Sequence, residues 1–304
     1  MNLHNYSDIF FKYIEQVAKK YNVAPALIEK DYFAFLLLSE LNKAIPGLLF
    51  KGGTCLSSAF HIIDRFSEDI DLTLDNNHYG RAKNTNANHK VFEVCDKLGF
   101  VVINKEKAKL RSHASFNRYL IEYPFHYLND AIKKTIQVEM VFLQKSYPSE
   151  TKKANSLIGY SLEKLNNDES KKYELESFDI NVQSLERTFV DKVFAICDYF
   201  ERNETRRNSR HLYDLYKICD SINLNSDDMI NLIKSVREDR KKSYRAVSAR
   251  DGYSINDTLL RIKDTNFYKE DFEKITTQML FIKVGYDEIV TVLDKIIESK
   301  AFIS

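Results

Sequence analysis

The most constraining feature of the sequence is a stretch in which an apolar run, a glycine pair and an acidic segment follow one another. The apolar run Leu48–Phe50 is followed, after one lysine, by Gly52 and Gly53. A run of this length closed by glycines predicts a buried strand, and a helix is expected to begin near Thr54. Adjacent glycines let the backbone approach a ligand, and the N–H groups at a helix start favour an anion. Gly52, Gly53 and Thr54 are therefore predicted to bind phosphate, although a tight turn that needs small residues produces the same pattern.

Downstream, the segment Asp69–Leu74 alternates acidic and apolar residues, which predicts a strand with two unlike faces. Asp69 and Asp71 are two residues apart, so both carboxylates point to the same side of the strand. The apolar residues on the other side indicate partial burial, where two uncompensated carboxylates are costly. Mg²⁺ prefers hard oxygen ligands and is held through a few carboxylates, with water and substrate phosphates completing its shell. The pair is predicted to bind Mg²⁺; the alternative is a solvent-facing acidic strand at a sheet edge.

A third carboxylate is expected if two Mg²⁺ ions are to assist an in-line displacement at phosphorus. Glu139 interrupts a long apolar segment, and an acid in such a place needs a partner, a metal or a raised pKa. Glu122 is the rival for the same role, in a shorter and less apolar segment. Glu139 is preferred as the third metal ligand.

The remaining chain is poor in turn residues, with four prolines and eight glycines in 304 residues, so helices are expected to dominate. Apolar periodicity predicts helices over 7–20, 25–41, 185–201, 210–221, 227–236 and 270–298, and strands over 118–123 and 135–143. The polar stretch 76–90 is predicted to be an exposed loop. Strand signals fade beyond about residue 180, which predicts an α+β protein with a mixed domain over 1–180 and a helical domain over 181–304.

Composition excludes several classes of protein. Hydrophobic residues make up 44% and charged residues 29%, which are ordinary globular values. Lys and Arg number 45 against 44 for Asp and Glu, so the net charge of +1 gives no whole-molecule attraction for nucleic acid or an anionic membrane. The four cysteines and seven histidines show no metal-ligand spacing. No apolar run approaches the ~20 residues of a spanning helix, and no signal peptide is recognisable at the N-terminus, so a cytoplasmic protein with no membrane partner is expected.

Two local basic segments are candidates for nucleic-acid binding. Residues 237–250 contain six positive and two negative side chains, with Tyr244 placed to stack on a base. A second cluster lies over 202–210. The alternative interpretation is a solvated helix end or loop. The residues predicted to contact RNA are Arg206, Arg207, Arg210, Arg240, Lys241, Lys242 and Arg245.

The glycine-to-acid block resembles a known signature. The stretch 50–54, Phe-Lys-Gly-Gly-Thr, followed by 65–72, Arg-Phe-Ser-Glu-Asp-Ile-Asp-Leu, is similar to the motif of AbiEii-type nucleotidyltransferases. These proteins are toxins of bacterial abortive-infection and toxin–antitoxin systems within the DNA polymerase β-like superfamily. Residues 28–32, 187–192 and 210–215 also resemble blocks of this family. One departure is Gly53, where the superfamily often has serine, so backbone N–H groups or Thr54 would replace a serine hydroxyl at the phosphate.

The resemblance implies a polymerase β-like nucleotidyltransferase domain with a mixed sheet, followed by a mainly helical domain. It also implies site roles for Lys192, which would neutralise the triphosphate, and for Asp214, which pairs with Arg210 or holds Lys192 in place. Without the resemblance, Lys192 would be interpreted as an ordinary lysine at the boundary of an apolar stripe.

The expected reaction is attack of an acceptor hydroxyl on the α-phosphate of a nucleoside triphosphate (NTP), with Mg²⁺ assistance and release of pyrophosphate. By resemblance, the acceptor is RNA, with the 3′ end of tRNA as the expected target, and a separately encoded antitoxin is the expected partner. Two alternatives stay open. One is a nucleotidyltransferase with a small-molecule or protein acceptor, and the other is a nucleotide-binding interaction module without turnover.

Overall fold

A computed structural model describes residues 2–75, 83–110, 116–128, 132–143, 148–165 and 168–303. The chain divides into two compact units. The first unit comprises Met1–His61 and Phe66–Gln183, and the second comprises Ile62–Arg65 and Ser184–Ser304. The short segment Ile62–Arg65 therefore belongs to the second unit although it lies within the sequence of the first.

The first unit contains the strands. Their bounds are Leu48–Lys51 (β1), Asp69–Asp75 (β2), Val101–Val102 (β3), Phe116–Glu122 (β4), Thr135–Leu143 (β5), Ser149–Ala154 (β6) and Phe178–Gln183 (β7). Its helices are Ser7–Tyr21 (α1), Pro25–Ala44 (α2), Gly52–Ser58 (α3), Lys83–Leu98 (α4), Lys105–Leu110 (α5), Leu157–Lys164 (α6) and Glu169–Lys172 (α7).

The strands form one mixed sheet of seven strands in the order β3-β4-β5-β2-β1-β7-β6. The pairs β2–β5 and β1–β7 are parallel, and the other neighbouring pairs are antiparallel. The central strands are therefore those that carry the predicted acids, since Asp69 and Asp71 lie on β2 and Glu139 lies on the adjacent β5.

The two faces of this sheet differ, because side chains alternate along each strand. Ile70 and Leu72 of β2 and Val138 and Met140 of β5 are at most 1% exposed and belong to a core that includes residues of α1, α2 and α4. The alternate positions, among them Asp71 and the other predicted acids, are only partly buried. One face is thus packed, and the other leaves polar groups accessible within this unit.

The second unit is helical. Its helices are Leu185–Glu201 (α8), Ser209–Cys219 (α9), Asp227–Lys241 (α10), Ile255–Asp264 (α11), Lys269–Lys274 (α12), Tyr286–Ile289 (α13) and Thr291–Ser299 (α14). Side-chain caps define several of these starts. Ser184 accepts a hydrogen bond from the backbone N–H of Arg187, and Ser226 accepts one from Met229, as is typical of N-cap serines.

The predicted fold class is confirmed: a mixed sheet with helices precedes a helical C-terminal part. Two local predictions were wrong. Much of the stretch 76–90 was predicted to be a loop, but Lys83–Leu98 is helical, while 76–82 lie outside the described residues. The single helix predicted over 270–298 is instead three shorter helices, α12 to α14, with Gly285 immediately before α13.

Candidate active site

The open face of the sheet carries a row of charged side chains across four neighbouring strands, with two adjacent acids flanked by two cations. Lys51 of β1 pairs in register with Asp71, Asp71 pairs with Glu139 of β5, and Glu139 pairs with Arg118 of β4. Side chains at paired register positions share a face, and neighbouring strands lie about 4.8 Å apart. Asp69, two residues before Asp71, lies on the same face. The row therefore places the three predicted acids together, with a cation beyond each end of the Asp71–Glu139 pair.

The Asp71 carboxylate lies against the backbone of Gly52. A Cβ placed on Gly52 would be 2.0 Å from Oδ2 of Asp71, and the φ of Gly52 is +77°. Glycine is thus required here twice, for the left-handed backbone and for the close approach. The helix that follows, α3, has seven residues, so its dipole adds little to anion binding. The absence of a side chain at Gly52 provides the space that the Asp71 carboxylate occupies.

Thr54 connects the start of α3 to the start of β2 through a hydrogen bond. Its hydroxyl donates to the backbone carbonyl oxygen of Asp69 at 2.5 Å, and the residue is 5% exposed. In this structure the hydroxyl predicted to contact phosphate is therefore committed to positioning the first acid of the pair.

Three consecutive residues of α2 hold the loops around the acid strands. Glu29 accepts from the backbone N–H groups of His126 and Tyr127, which follow β4. Lys30, 1% exposed, donates to Glu68 Oε2 and to the carbonyl oxygen of Lys133, both at 3.1 Å. Glu68 immediately precedes β2 and Lys133 lies just before β5, so one ammonium group ties together the beginnings of the two acid-bearing strands.

The third residue of this helical turn, Asp31, accepts from the backbone N–H of Leu157 at 2.6 Å. Burial raises the pKa of this carboxyl to about 7, although the hydrogen bond from Leu157 opposes the shift. Burial likewise lowers the pKa of Lys30, and the neighbouring Glu68 opposes that effect. Glu29, Lys30 and Asp31 were not predicted to be functional residues. The only sequence signal for them was their position in the 28–32 block that resembles the AbiEii family.

Glu139, the predicted third acid, is already engaged. Its Oε1 accepts from Arg118 Nε at 2.9 Å and Nη2 at 2.7 Å, and from the Gln137 side-chain amide at 3.0 Å. Within the described part of the chain, no three His, Cys, Asp or Glu side chains are grouped closely enough to hold a metal ion. The carboxylate chemistry of the row suits Mg²⁺, but a three-acid site requires Glu139 to exchange Arg118 for the metal.

The second unit contains a buried cluster in which Asp214 of α9 is shared by two cations. Arg65 binds it through Nε–Oδ1 and Nη2–Oδ2 contacts, each 2.7 Å long, and Lys192 Nζ lies 2.7 Å from Oδ2. The residues are 2%, 0% and 7% exposed for Arg65, Asp214 and Lys192. Of the two partners that the sequence suggested for Asp214, Lys192 is bound, and the arginine that binds it is Arg65 rather than Arg210.

The electrostatics of this cluster follow from burial and from its surplus of positive charge. Burial by itself would raise the pKa of Asp214, but Arg65 and Lys192 outweigh it and hold that pKa far below the ordinary value. Burial lowers the pKa of Lys192 despite Asp214. His211, 3.5 Å from Lys192 Nζ, has its pKa lowered well below the usual range by burial and by Lys192. It is therefore neutral at neutral pH.

Arg65 is the functional residue that sequence reasoning missed. It stands in the block 65–72, but its partner is 149 positions away. The segment around it is fixed at further points of the second unit. The backbone N–H of Asp64 donates to the Tyr213 hydroxyl at 3.1 Å, and the backbone N–H of Phe281 donates to the Asp64 carbonyl oxygen at 2.8 Å.

The basic segment 237–250 is largely neutralised by acids. Arg240 Nη2 lies 2.6 Å from Asp198, and Lys241 lies 2.7 Å from Glu238 and 2.5 Å from Asp251. Lys242 pairs with Asp239 at 3.3 Å. Arg245 donates to the Tyr244 hydroxyl. Three of the four predicted RNA contacts in this segment are therefore engaged in ion pairs.

In the basic cluster over 202–210, Arg202 pairs with Glu204 at 3.1 Å. Arg207 is half-buried, and its backbone N–H donates to Asp271 at 2.7 Å. Arg206 is exposed and Arg210 half-buried, and neither side chain makes an ion pair with the residues that the structure describes. Tyr199 stacks on His211 at a ring-centroid distance of 5.5 Å, and Arg202 lies over the Tyr199 ring.

Comparison with known families decides the identity of the chain. The family model described as nucleotidyl transferase AbiEii toxin, type IV toxin–antitoxin system, matches residues 36–288. The chain belongs to the AbiEii family. It is therefore a nucleotidyltransferase, as the signature at 50–72 indicated, and its family is one of toxins whose partners are antitoxins.

Among solved structures, the AbiEii-family chain is similar to MenT4, a nucleotidyltransferase toxin from Mycobacterium tuberculosis H37Rv. The two sequences are 14% identical, the match covers 93% of this chain and 98% of that chain, and the TM-score is 0.45. No match is found among curated proteins. None of the described helices of this AbiEii protein is both long enough and apolar enough to cross a membrane.

Proposed function

We propose that this nucleotidyltransferase transfers a nucleotide from an NTP to an RNA acceptor, the 3′ end of tRNA, and thereby inhibits translation in the cytoplasm. The observation that carries the proposal is the register of β2 against β5, which aligns Asp71 with Glu139 on the face that also bears Asp69. Three carboxylates on one face, next to a glycine with no side chain, form a site for a metal-bound polyphosphate.

Asp69, Asp71 and Glu139 are the residues that would hold two Mg²⁺ ions. When bound, these ions supply Lewis-acid activation of the acceptor hydroxyl and neutralise charge on the phosphates. The acceptor oxygen forms a bond to the α-phosphorus and loses its proton, the bond from the α-phosphorus to the bridging oxygen breaks, and pyrophosphate leaves. Gly52 and Gly53 are the residues whose backbone would lie against the phosphates. The missing side chain of Gly52 leaves room for the Asp71 carboxylate, and Thr54 keeps Asp69 in position through its carbonyl group.

Arg118 and Lys51 are placed to act on the same substrate from this chain. Arg118 neutralises Glu139, and if Glu139 held a metal ion, the Arg118 guanidinium would be available for a phosphate oxygen. Among the described residues Lys51 makes no ion pair, and its ammonium is available for the leaving pyrophosphate. In the second unit, the surplus positive charge of the Arg65–Lys192–Asp214 cluster supports the assignment of Lys192 to the triphosphate.

The RNA acceptor is supported by the cations of the second unit that lack carboxylate partners, above all Arg206 and Arg210. The pairing of Arg240, Lys241 and Lys242 with acids favours a second candidate function, transfer to a protein or small-molecule acceptor, since it removes part of the predicted RNA-binding charge.

The test is incubation of the protein with α-labelled NTPs, Mg²⁺ and total RNA, with Asp71→Asn as the inactive variant and Glu122→Gln as the matched control. Glu122 is on β4, four residues after Arg118, and pairs in register with Thr135 rather than with an acid. Label is expected on tRNA with the native protein and the control, and to fall more than about 100-fold with Asp71→Asn.

Each outcome separates the candidates. Label on protein or small molecules in place of RNA supports the second candidate. Undiminished transfer, or undiminished growth inhibition on expression, with both Asp69→Asn and Asp71→Asn would contradict the metal mechanism. Transfer that depends on Glu122 and not on Glu139 would reassign the third acid.

A further inference from the structure

A cavity of about 290 Å³ adjoins the acid row on the β4 side. Its lining residues are Asn104, Lys107, Phe116, Asn117, Arg118 and Leu120. All of them belong to the first unit. The cavity was not predicted from the sequence, in which Leu120 was considered only as part of the strand predicted over 118–123.

The cavity and the acid row share one residue. Phe116, Arg118 and Leu120 alternate along β4 and so lie on the same face as Glu139. Arg118 lines the cavity and also lies 2.7 Å from Glu139 Oε1, and its guanidinium lies 5.8 Å from the centre of the Phe116 ring. Arg118 therefore lies between the acids and the cavity, so a molecule bound at the acids can extend past this arginine into a partly apolar cavity with an aromatic wall.

The order of chemical groups along the sheet matches the order of groups in an NTP. From β1 to β4 the face presents Lys51, then Asp71 and Glu139, then Arg118, then the cavity. Three strand spacings of about 4.8 Å span roughly 14 Å. In this order, the β- and γ-phosphates would lie near Lys51, and the α-phosphate would lie at the acids with their metals. The base would lie in the cavity. The cavity, whose wall includes Phe116 and Leu120, thus lies where the base would extend.

We infer that this cavity receives the base of the NTP, with Phe116 as its stacking surface and Arg118 as the contact for the adjoining ribose phosphate. The inference rests on the proposed NTP chemistry and extends it to a location for the nucleoside. Asn104 is not available to read the base, because its amide is bonded to the β4 backbone at Arg118 and Leu120, at 2.8 and 2.9 Å. Recognition is by stacking, which tolerates all four bases.

The test compares two kinds of ligand on the native protein and three variants. Equilibrium binding is measured in Mg²⁺ for non-hydrolysable analogues of the four NTPs and for inorganic triphosphate, which has no base. The proteins are the native chain, Phe116→Ala and Leu165→Ala, the last removing an apolar side chain that is 75% exposed and outside the cavity. Phe116→Tyr serves as the conservative variant that keeps the ring.

Phe116→Ala is expected to weaken binding of every NTP analogue by about 5- to 150-fold, the loss of one stacked base, and to leave triphosphate binding unchanged. Phe116→Tyr and Leu165→Ala should bind all ligands as the native protein does. Unchanged triphosphate binding also shows that Phe116→Ala has kept its fold.

Other results overturn the inference in recognisable ways. Equal effects of Phe116→Ala on NTP analogues and triphosphate, or no effect on either, would show that no base occupies the cavity. A loss confined to binding of an acceptor RNA would assign the cavity to the acceptor's terminal base instead. Failure of the native protein to bind either triphosphate or NTPs with Mg²⁺ would contradict the proposed function itself.

Discussion

A Cβ on Gly52 would lie 2.0 Å from Oδ2 of Asp71. This contact joins the two halves of the family signature, the glycine pair and the acidic strand, at a single point. Because the φ of Gly52 is also positive, substitution there introduces both backbone strain and a direct collision with the Asp71 carboxylate.

Gly52→Ala is expected to abolish nucleotide transfer, with Gly99→Ala as the matched control. Gly99 has a φ of +70° but no heavy atom within 4 Å of a Cβ, so it shares the strain without the collision. Both variants should lose about 1 kcal/mol or more of unfolding free energy, measured by urea denaturation. Only Gly52→Ala should lose metal-dependent binding of triphosphate, and equal losses in the two variants would show that strain alone matters.

Asp214→Asn is expected to destabilise the protein by about 3–5 kcal/mol, because it leaves Arg65 and Lys192 buried without their counter-charge. The control is Lys217→Ala, which breaks the partly exposed pair with Asp64 and should cost no more than about 1 kcal/mol. Thermal and urea unfolding of both variants checks the difference. Similar losses of unfolding free energy in the two variants would contradict the description of the Asp214 cluster as a buried ionic cluster.

The carboxyl of Asp31 predicts a pH-dependent stability. Its pKa rises from 3.8 to about 7 on folding, so the folded state binds the proton more tightly than the unfolded state does. The stabilisation is therefore complete below about pH 4 and is lost as the pH rises towards 7. Asp31→Asn keeps an acceptor for the Leu157 N–H and removes the titration, so it should gain on the order of 4 kcal/mol relative to the native chain between pH 4 and pH 8. Parallel pH profiles for the two proteins would contradict this assignment.

RNA affinity is expected to depend more on Arg206 and Arg210 than on Lys241 and Lys242. Free arginines release counterions when they bind phosphate, whereas a lysine in an ion pair must first give up its carboxylate. The Arg206→Ala, Arg210→Ala double variant should lower the slope of log affinity against log salt concentration by about 2. A comparable change of the salt slope in the Lys241→Ala, Lys242→Ala double variant would instead support the prediction from sequence that the segment 237–250 binds RNA.

The sequence predicted those elements whose patterns are local. Strand β5 was predicted with the bounds the structure has, because its apolar run is long, and α8 was predicted from an apolar stripe at helical spacing. The alignment of Asp71 with Glu139 could not be predicted from the sequence, because the register depends on pairing between strands more than 60 positions apart.

What the sequence did not reveal depends on distant partners. The asparagines of α4 suggested a loop, yet Asn88 is 4% exposed and accepts from Asn117, so tertiary contact overrides its weak helix propensity. The strand β6 is polar throughout and lies at a sheet edge, where no apolar alternation is needed. Asp198 neutralises Arg240 from 42 positions away, which a local charge count does not detect.

The assignment of Ile62–Arg65 to the helical unit means that the chain cannot be divided by a single cut. A fragment ending at Gln183 would keep Arg65 but lose Asp214 and Lys192, and would present a guanidinium evolved for burial to solvent or to other molecules. Truncation near residue 183 therefore leaves the segment Ile62–Arg65 without the rest of its unit, and this segment reaches its native pairing only after the C-terminal helices have been synthesised.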